Sequence, residues 1–233
     1  MINLNTIESI VTSMALVFAY FFSTTVSGAS QALFADKMGD STAKDAGLLS
    51  LNPLDHIDAI GLGLIVFLGF GWGRQIPIDP YAIKSPYRML RLICVYFFET
   101  FISLVLAFIS LFTLVVFFEA RALECAFHMF FSGHIPLKYF TDTFPHYPSW
   151  MVVSAFLLMA VVFFNVFIAS LSFILNAFRY ALVIGFEKKY DYMQYADYFM
   201  LLGPMIMFFF FADFLRALFL SIIVHSAYML AIW

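Results

Sequence analysis

Charged side chains are scarce in this 233-residue sequence: Asp, Glu, Lys and Arg make up 12% of it, against 64% hydrophobic residues. A soluble domain carries about 25% charged residues, so this chain lacks the polar surface that keeps a protein in water. With a net charge of −3, the chain has no excess of positive charge with which it would bind nucleic acid. The two cysteines, Cys94 and Cys125, are too few for a disulfide framework. We therefore predict a multi-pass integral membrane protein that contacts lipid and binds no nucleic acid.

Long apolar runs predict an all-α polytopic fold with five or six transmembrane helices. About 20 apolar residues are needed to cross a membrane as a helix. The second run is shorter than this, and we expect it to be short, tilted or partly re-entrant. No linker or repeat divides the chain, so we predict one integral membrane domain over residues 1–233. The apolar runs are Ile10–Val26, Ala59–Trp72, Met89–Phe118, Trp150–Phe186 and Tyr198–Trp233.

The most specific motif lies between the first and third apolar runs. Residues Leu51–Gly61 read LNPLDHIDAIG, and residues Gly69–Pro80 read GFGWGRQIPIDP. These segments resemble the site-2 protease family of intramembrane zinc metalloproteases, whose compact bacterial members carry a sequence close to LxLNPxxHIDPIG followed by GWAxPVPVNP. The resemblance runs from about Ala32 to Arg91. It implies a site-2 protease-like core over about residues 10–186 in a bacterial inner membrane, with a further helical region at 198–233.

The same resemblance implies a zinc centre whose residues are missing here. Such proteases carry HExxH on the first core helix, with two histidine ligands and a glutamate that activates the metal-bound water. The resemblance places the ligand positions at Ser27 and Gln31 and the glutamate position at Gly28. Serine and glutamine are poor zinc ligands beside imidazole, and glycine transfers no proton. We therefore expect a degenerate member, a pseudoprotease without a cofactor.

The third ligand of the family is absent as well. It is the aspartate of an LDG-type motif that follows a proline-bearing FNxxPxxP. Residues 151–186, where it is expected, contain no acidic residue, histidine or proline. Both halves of the metal centre are therefore missing from the sequence.

The surviving motif residues are expected to have structural roles: Asn52, Pro53, His56, Asp58 and Gly61. We expect the His56 ring to bond a backbone carbonyl and Asp58 to cap a helix that begins near Ala59. An alternative is a metal site with relocated ligands. It would use His56 and Asp58, or a second group in a polar loop that contains Glu124, His128, His134 and His146.

Three ionisable residues inside apolar runs are candidate contacts, either with a partner or within the chain. Glu99 is the lone acid of its run, where a carboxyl normally faces protein or water. Asp213 and Arg216 are three residues apart and suit an ion pair on one helix face. For Glu99 a neutral, hydrogen-bonded buried carboxylic acid is the alternative, and for Asp213 and Arg216 the structural ion pair is favoured over contact with a partner helix.

These observations predict a subunit or scaffold of a hetero-oligomeric complex of integral membrane proteins. A site-2 protease-like groove that has lost its chemistry would dock transmembrane helices of partner proteins. Two other classes stay open. One is an ion- or proton-conducting subunit that uses Glu99, and the other is a zinc metalloprotease with relocated ligands.

Overall fold

The computed structural model describes residues 4–68, 71–84, 86–118, 145 and 148–186. In this part of the chain the architecture is helical. The one pairing of β type among these described residues is an isolated antiparallel bridge between Ile57 and Gly73. The helices are α1 (Leu4–Met38), α2 (Thr42–Asp45), α3 (Pro53–His56), α4 (Ala59–Leu68), α5 (Arg88–Phe117) and α6 (Ser149–Phe186).

Three of the described helices are long and apolar enough to cross a membrane. The candidate spans are Ser13–Met38, Arg88–Phe117 and Val153–Gly185. The predicted class of helical membrane protein therefore agrees with the structure, whereas the predicted count of five or six spans stays a prediction. The last apolar run, Tyr198–Trp233, lies outside the described residues.

The helices of the first two apolar runs have very different lengths, and the second is short, as the sequence predicts. Helix α1 extends past the end of its apolar run at Val26 and continues to Met38, because alanines such as Ala29, Ala32 and Ala35 keep that stretch helical. Helix α4 contains only ten residues, which is about 15 Å and roughly half of the hydrocarbon thickness. It is therefore too short to cross a membrane by itself.

The contacts divide the chain into two compact units, Met1–Asn176 and Ala177–Trp233. In the second unit only Ala177–Phe186 is described, as the last turns of α6. The core of the first unit is formed mainly by α1 and α6. Small side chains such as Ala19 and Ala160 are fully buried in this core, and the rings of Tyr20 and Phe164 meet edge to face with their centroids 5.6 Å apart.

Two of the short helices between α1 and α5, namely α3 and α4, begin at residues of the LNPLDHIDAIG motif. The Asn52 side chain accepts a hydrogen bond from the Leu54 amide at 3.3 Å, and Pro53 occupies the first helical turn of α3. Asp58 Oδ1 accepts a hydrogen bond from the Gly61 amide at 2.8 Å and caps α4, as expected. A Cβ atom at Gly61 would overlap the Trp72 carbonyl oxygen, so this position requires glycine.

Candidate functional site

Polar side chains form a buried stripe along α1. This helix contains Ser27, Gly28 and Gln31, the positions at which the resemblance to site-2 proteases places HExxH. Ser27 is fully buried, and Gln31 is 3% exposed. One and two turns earlier, Ser23 and Tyr20 lie on the same side of the helix and are also fully buried. The stripe includes Gly28 and runs through a candidate membrane span, so each of its polar atoms needs a partner inside the protein.

Gln31 finds its partner in the backbone of α5. Its Nε2 atom donates to the carbonyl oxygens of Val95, at 3.0 Å, and Tyr96, at 3.3 Å. A side chain at a predicted ligand position therefore joins two membrane helices. Ser27 Oγ, by contrast, is buried and has no hydrogen-bond partner among the described residues.

His56 ends α3, and its ring lies beside α1. Its Nε2 atom lies 2.7 Å from the Ser50 carbonyl oxygen, the backbone contact expected from the sequence. Because a carbonyl oxygen only accepts, Nε2 carries a proton, and in the neutral ring Nδ1 then has a free lone pair. That Nδ1 atom is buried and has no partner among the described residues. A Cβ atom built at Gly28 would lie 2.7 Å from it.

The segment that carries His56 is held against α1 by further bonds. The Tyr20 hydroxyl accepts from the Asp58 amide at 3.1 Å and lies 3.1 Å from the Trp72 carbonyl oxygen, to which it donates. The Arg74 amide donates to the His56 carbonyl oxygen at 2.8 Å. These contacts fix the family-motif loop on the polar stripe of α1.

The donor atoms at this site do not suit zinc. A catalytic zinc ion takes three protein ligands, drawn from histidine, cysteine and the carboxylates. The part of the chain that the structure describes contains no group of three such residues placed to hold a metal ion. Near α1 one imidazole nitrogen, on His56, is available. The second proposed group, with Glu124, His128, His134 and His146, lies outside the described residues.

Asn165 is a site residue that the sequence analysis missed. It is fully buried on α6, and its Nδ2 atom donates to Ser23 Oγ at 2.7 Å and to the Val161 carbonyl oxygen at 2.8 Å. The bond to Ser23 joins α6 to the stripe one turn before Ser27. The sequence feature that could have pointed to this residue is the pair Phe164-Asn165 within an apolar run, because FNxxPxxP begins with the same two residue types.

Glu99 belongs to a separate polar group between α5 and α6. Ser172 Oγ donates to Glu99 Oε2 at 2.8 Å. The same hydroxyl oxygen accepts from Thr100 Oγ1 at 3.2 Å and from Asn176 Nδ2 at 2.9 Å. The half-buried carboxyl therefore has a hydrogen-bond partner inside the chain. Asp213 and Arg216, the other predicted polar contacts, lie outside the described residues.

Comparison with known proteins gives one curated relative. The protein from Bacillus subtilis (strain 168) named "Putative zinc metalloprotease YwhC" is 41% identical over 101 residues, which are 43% of this chain and 45% of that protein. The matched region thus covers less than half of the relative's length. No family model and no solved structure matches. With the three apolar helices, this similarity supports a helical membrane protein with a site-2 protease-like relationship.

Proposed function

We propose that this protein is a catalytically inactive, site-2 protease-like membrane protein that acts as a subunit or scaffold of an integral membrane complex. The observation that carries the proposal is the chemistry of positions 27, 28 and 31. Gly28 has no side chain with which to activate a water molecule. The Gln31 amide is engaged by the α5 backbone, and Ser27 offers only a hydroxyl.

The outer face of α5 supports a docking role. Phe101, Phe108, Phe112 and Val116 are each more than half exposed and lie along one side of a candidate membrane span. Such a face contacts lipid or another membrane helix. In a scaffold, partner helices would pack on faces of this kind.

Native mass spectrometry of the full chain, gently extracted from its own membrane, tests the proposal. We expect a zinc-free particle well above the 26.6 kDa of one chain, with defined companion proteins. The relative from Bacillus subtilis, extracted in parallel, serves as the control for whether the procedure retains metal. A single chain with one zinc ion would contradict the proposal.

A zinc metalloprotease with relocated ligands is the second candidate. The name of the Bacillus subtilis relative favours it, as does the unpaired Nδ1 atom of His56. This candidate requires stoichiometric zinc in the wild type and loss of that zinc in His56→Ala. A wild-type protein that stays metal-free after dialysis against zinc rejects it.

Ion or proton conduction through Glu99 is the third candidate, favoured by the hydrogen-bonded carboxyl inside a candidate span. Proton and ion flux in liposomes would compare the wild type with Glu99→Gln, which keeps an acceptor for Ser172 and removes the ionisable group. Flux that is lost in the variant would support conduction. Equal and negligible flux in both proteins would exclude it.

A further inference from the structure

The contact between His56 and Gly28 is the closest approach of the family-motif loop to the positions of the missing zinc motif. We propose that the His56 imidazole is the internal occupant of the former catalytic position, and that Gly28 is the residue that makes room for it. This inference rests on the proposed function, because it takes position 28 as the place of the lost general base. Beyond the proposed function, the inference names His56 as the residue whose side chain fills the space beside position 28.

The steric evidence is that one edge of the imidazole ring faces the Gly28 backbone. A Cβ atom at position 28 would lie 2.7 Å from Nδ1, 3.3 Å from Cε1 and 3.5 Å from Cγ. Contacts below 3.0 Å are essentially never made by real Cβ atoms. The obstacle is a rigid ring and not the free end of a flexible chain. Any side chain at position 28, alanine included, must therefore displace His56.

The ring is also held in place from its other side. His56 is 1% exposed, and its Nε2–H donates to the Ser50 carbonyl oxygen at 2.7 Å. Its own carbonyl oxygen accepts from the Arg74 amide at 2.8 Å. A Cβ atom at Gly73 would lie 3.2 Å from that carbonyl oxygen and 2.8 Å from Thr24 Cγ2. The backbone of residue 56 thus lies in a tight space between α1 and the segment that follows α4.

Two consequences follow from this packing. A glutamate at position 28 and the present position of the His56 ring exclude each other, so a chain that carries both the acid and this motif histidine must place the ring elsewhere. In addition, the space beside Gly28 is filled by the chain itself. Partner helices therefore bind elsewhere on the protein, and His56 positions the loop without contacting a substrate.

A double-mutant cycle on the full-length protein in detergent tests the inference. We expect Gly28→Ala to lower the melting temperature by about 5 °C, as overpacking of a tight site does. In a His56→Ala background the same substitution should cost nothing, because the ring is gone. Gly63→Ala is the matched control: Gly63 also lies in a helix, but a Cβ atom there meets nothing within 4 Å. Its melting temperature should stay the same or rise slightly.

Two results would overturn the inference. One is a Gly28→Ala protein as stable as Gly63→Ala. The other is an equal loss in the wild-type and His56→Ala backgrounds, since a cost without coupling does not involve the ring. If His56→Ala does not yield folded protein, His56→Ser completes the cycle, because serine has no atom at the places of Nδ1 and Cε1, the two ring atoms nearest to position 28.

Zinc analysis of the same wild-type sample separates this inference from the proposed function. Stoichiometric zinc would overturn the proposed function, and with it the description of position 28 as a former catalytic position. A zinc-free protein that shows no coupling would overturn the role of His56 alone. A zinc-free protein with the expected coupling supports both.

Discussion

At the scale of single residues, Asp40 is an acidic side chain that joins two segments of the backbone by hydrogen bonds. It is fully buried just after α1. Its two carboxylate oxygens accept bonds from separate backbone amides, Oδ1 from Thr42 at 3.0 Å and Oδ2 from Asp79 at 2.9 Å. Because Asp79 is distant in sequence, this one side chain fastens the end of α1 to the segment before α5.

We expect Asp40→Ala to lower the free energy of unfolding by about 2 kcal/mol, since the amides of Thr42 and Asp79 both lose their buried acceptor. Asp40→Asn keeps one acceptor oxygen and should lose about half as much. Chemical denaturation in detergent measures both losses. Asp55→Ala, at a partly exposed aspartate of α3, is the control and should change stability by less than about 0.5 kcal/mol. Equal effects at positions 40 and 55 would contradict this role.

At the scale of helices, α1 is joined to its neighbours by a few side-chain hydrogen bonds. Gln31 reaches α5, and the Ser23–Asn165 bond reaches α6. Between membrane helices the hydrophobic effect contributes little, so close packing and such bonds decide how the helices associate. The polar stripe therefore works as the packing surface of α1.

For Gln31→Ala we expect a loss of about 1 kcal/mol, the scale of one hydrogen bond between membrane helices plus a small cavity. Gln31→Met fills the same volume without the donor, so the difference between the two variants separates packing from hydrogen bonding. Unfolding of the reconstituted protein by a denaturing detergent measures both. Leu33→Ala, at an exposed position of α1, is the control. A loss at position 31 no larger than at position 33 would mean that the bond to α5 contributes nothing.

The sequence predicted local and apolar features well and long-range polar contacts poorly. The bounds of α5 and α6 lie within one residue of the predicted runs, because the apolar runs themselves are continuous there. The contacts of His56 and Asp58 were also predicted, since their partners are close in sequence. The bonds of Gln31, Asp40 and Asn165 join distant segments, and no periodicity in one sequence encodes which segments meet.

At the scale of the whole molecule, we expect stability to respond little to metal, because the described residues contain no group of three potential zinc ligands. A ligand that binds only the folded state raises the melting temperature. We therefore expect the melting temperature of the purified protein to change by less than about 1 °C on treatment with a chelator or with added zinc. The Bacillus subtilis relative is the comparison, since its name describes a zinc metalloprotease. A fall on chelation that zinc reverses would identify a bound metal in this chain.

The polar stripe of α1 also constrains the order in which the protein is assembled. A ribosome makes α1 first, before its partners on α5 and α6 exist. The Gln31 amide gains its acceptors, the carbonyl oxygens of Val95 and Tyr96, only after α5 has been synthesised. Ser23 gains its hydrogen-bond partner, Asn165, only after α6 has been synthesised. Until then, a helix with buried polar groups must stay beside the insertion machinery, because lipid offers those groups no partner. We therefore expect nascent chains that end before Asn165 to remain associated with that machinery longer than complete ones.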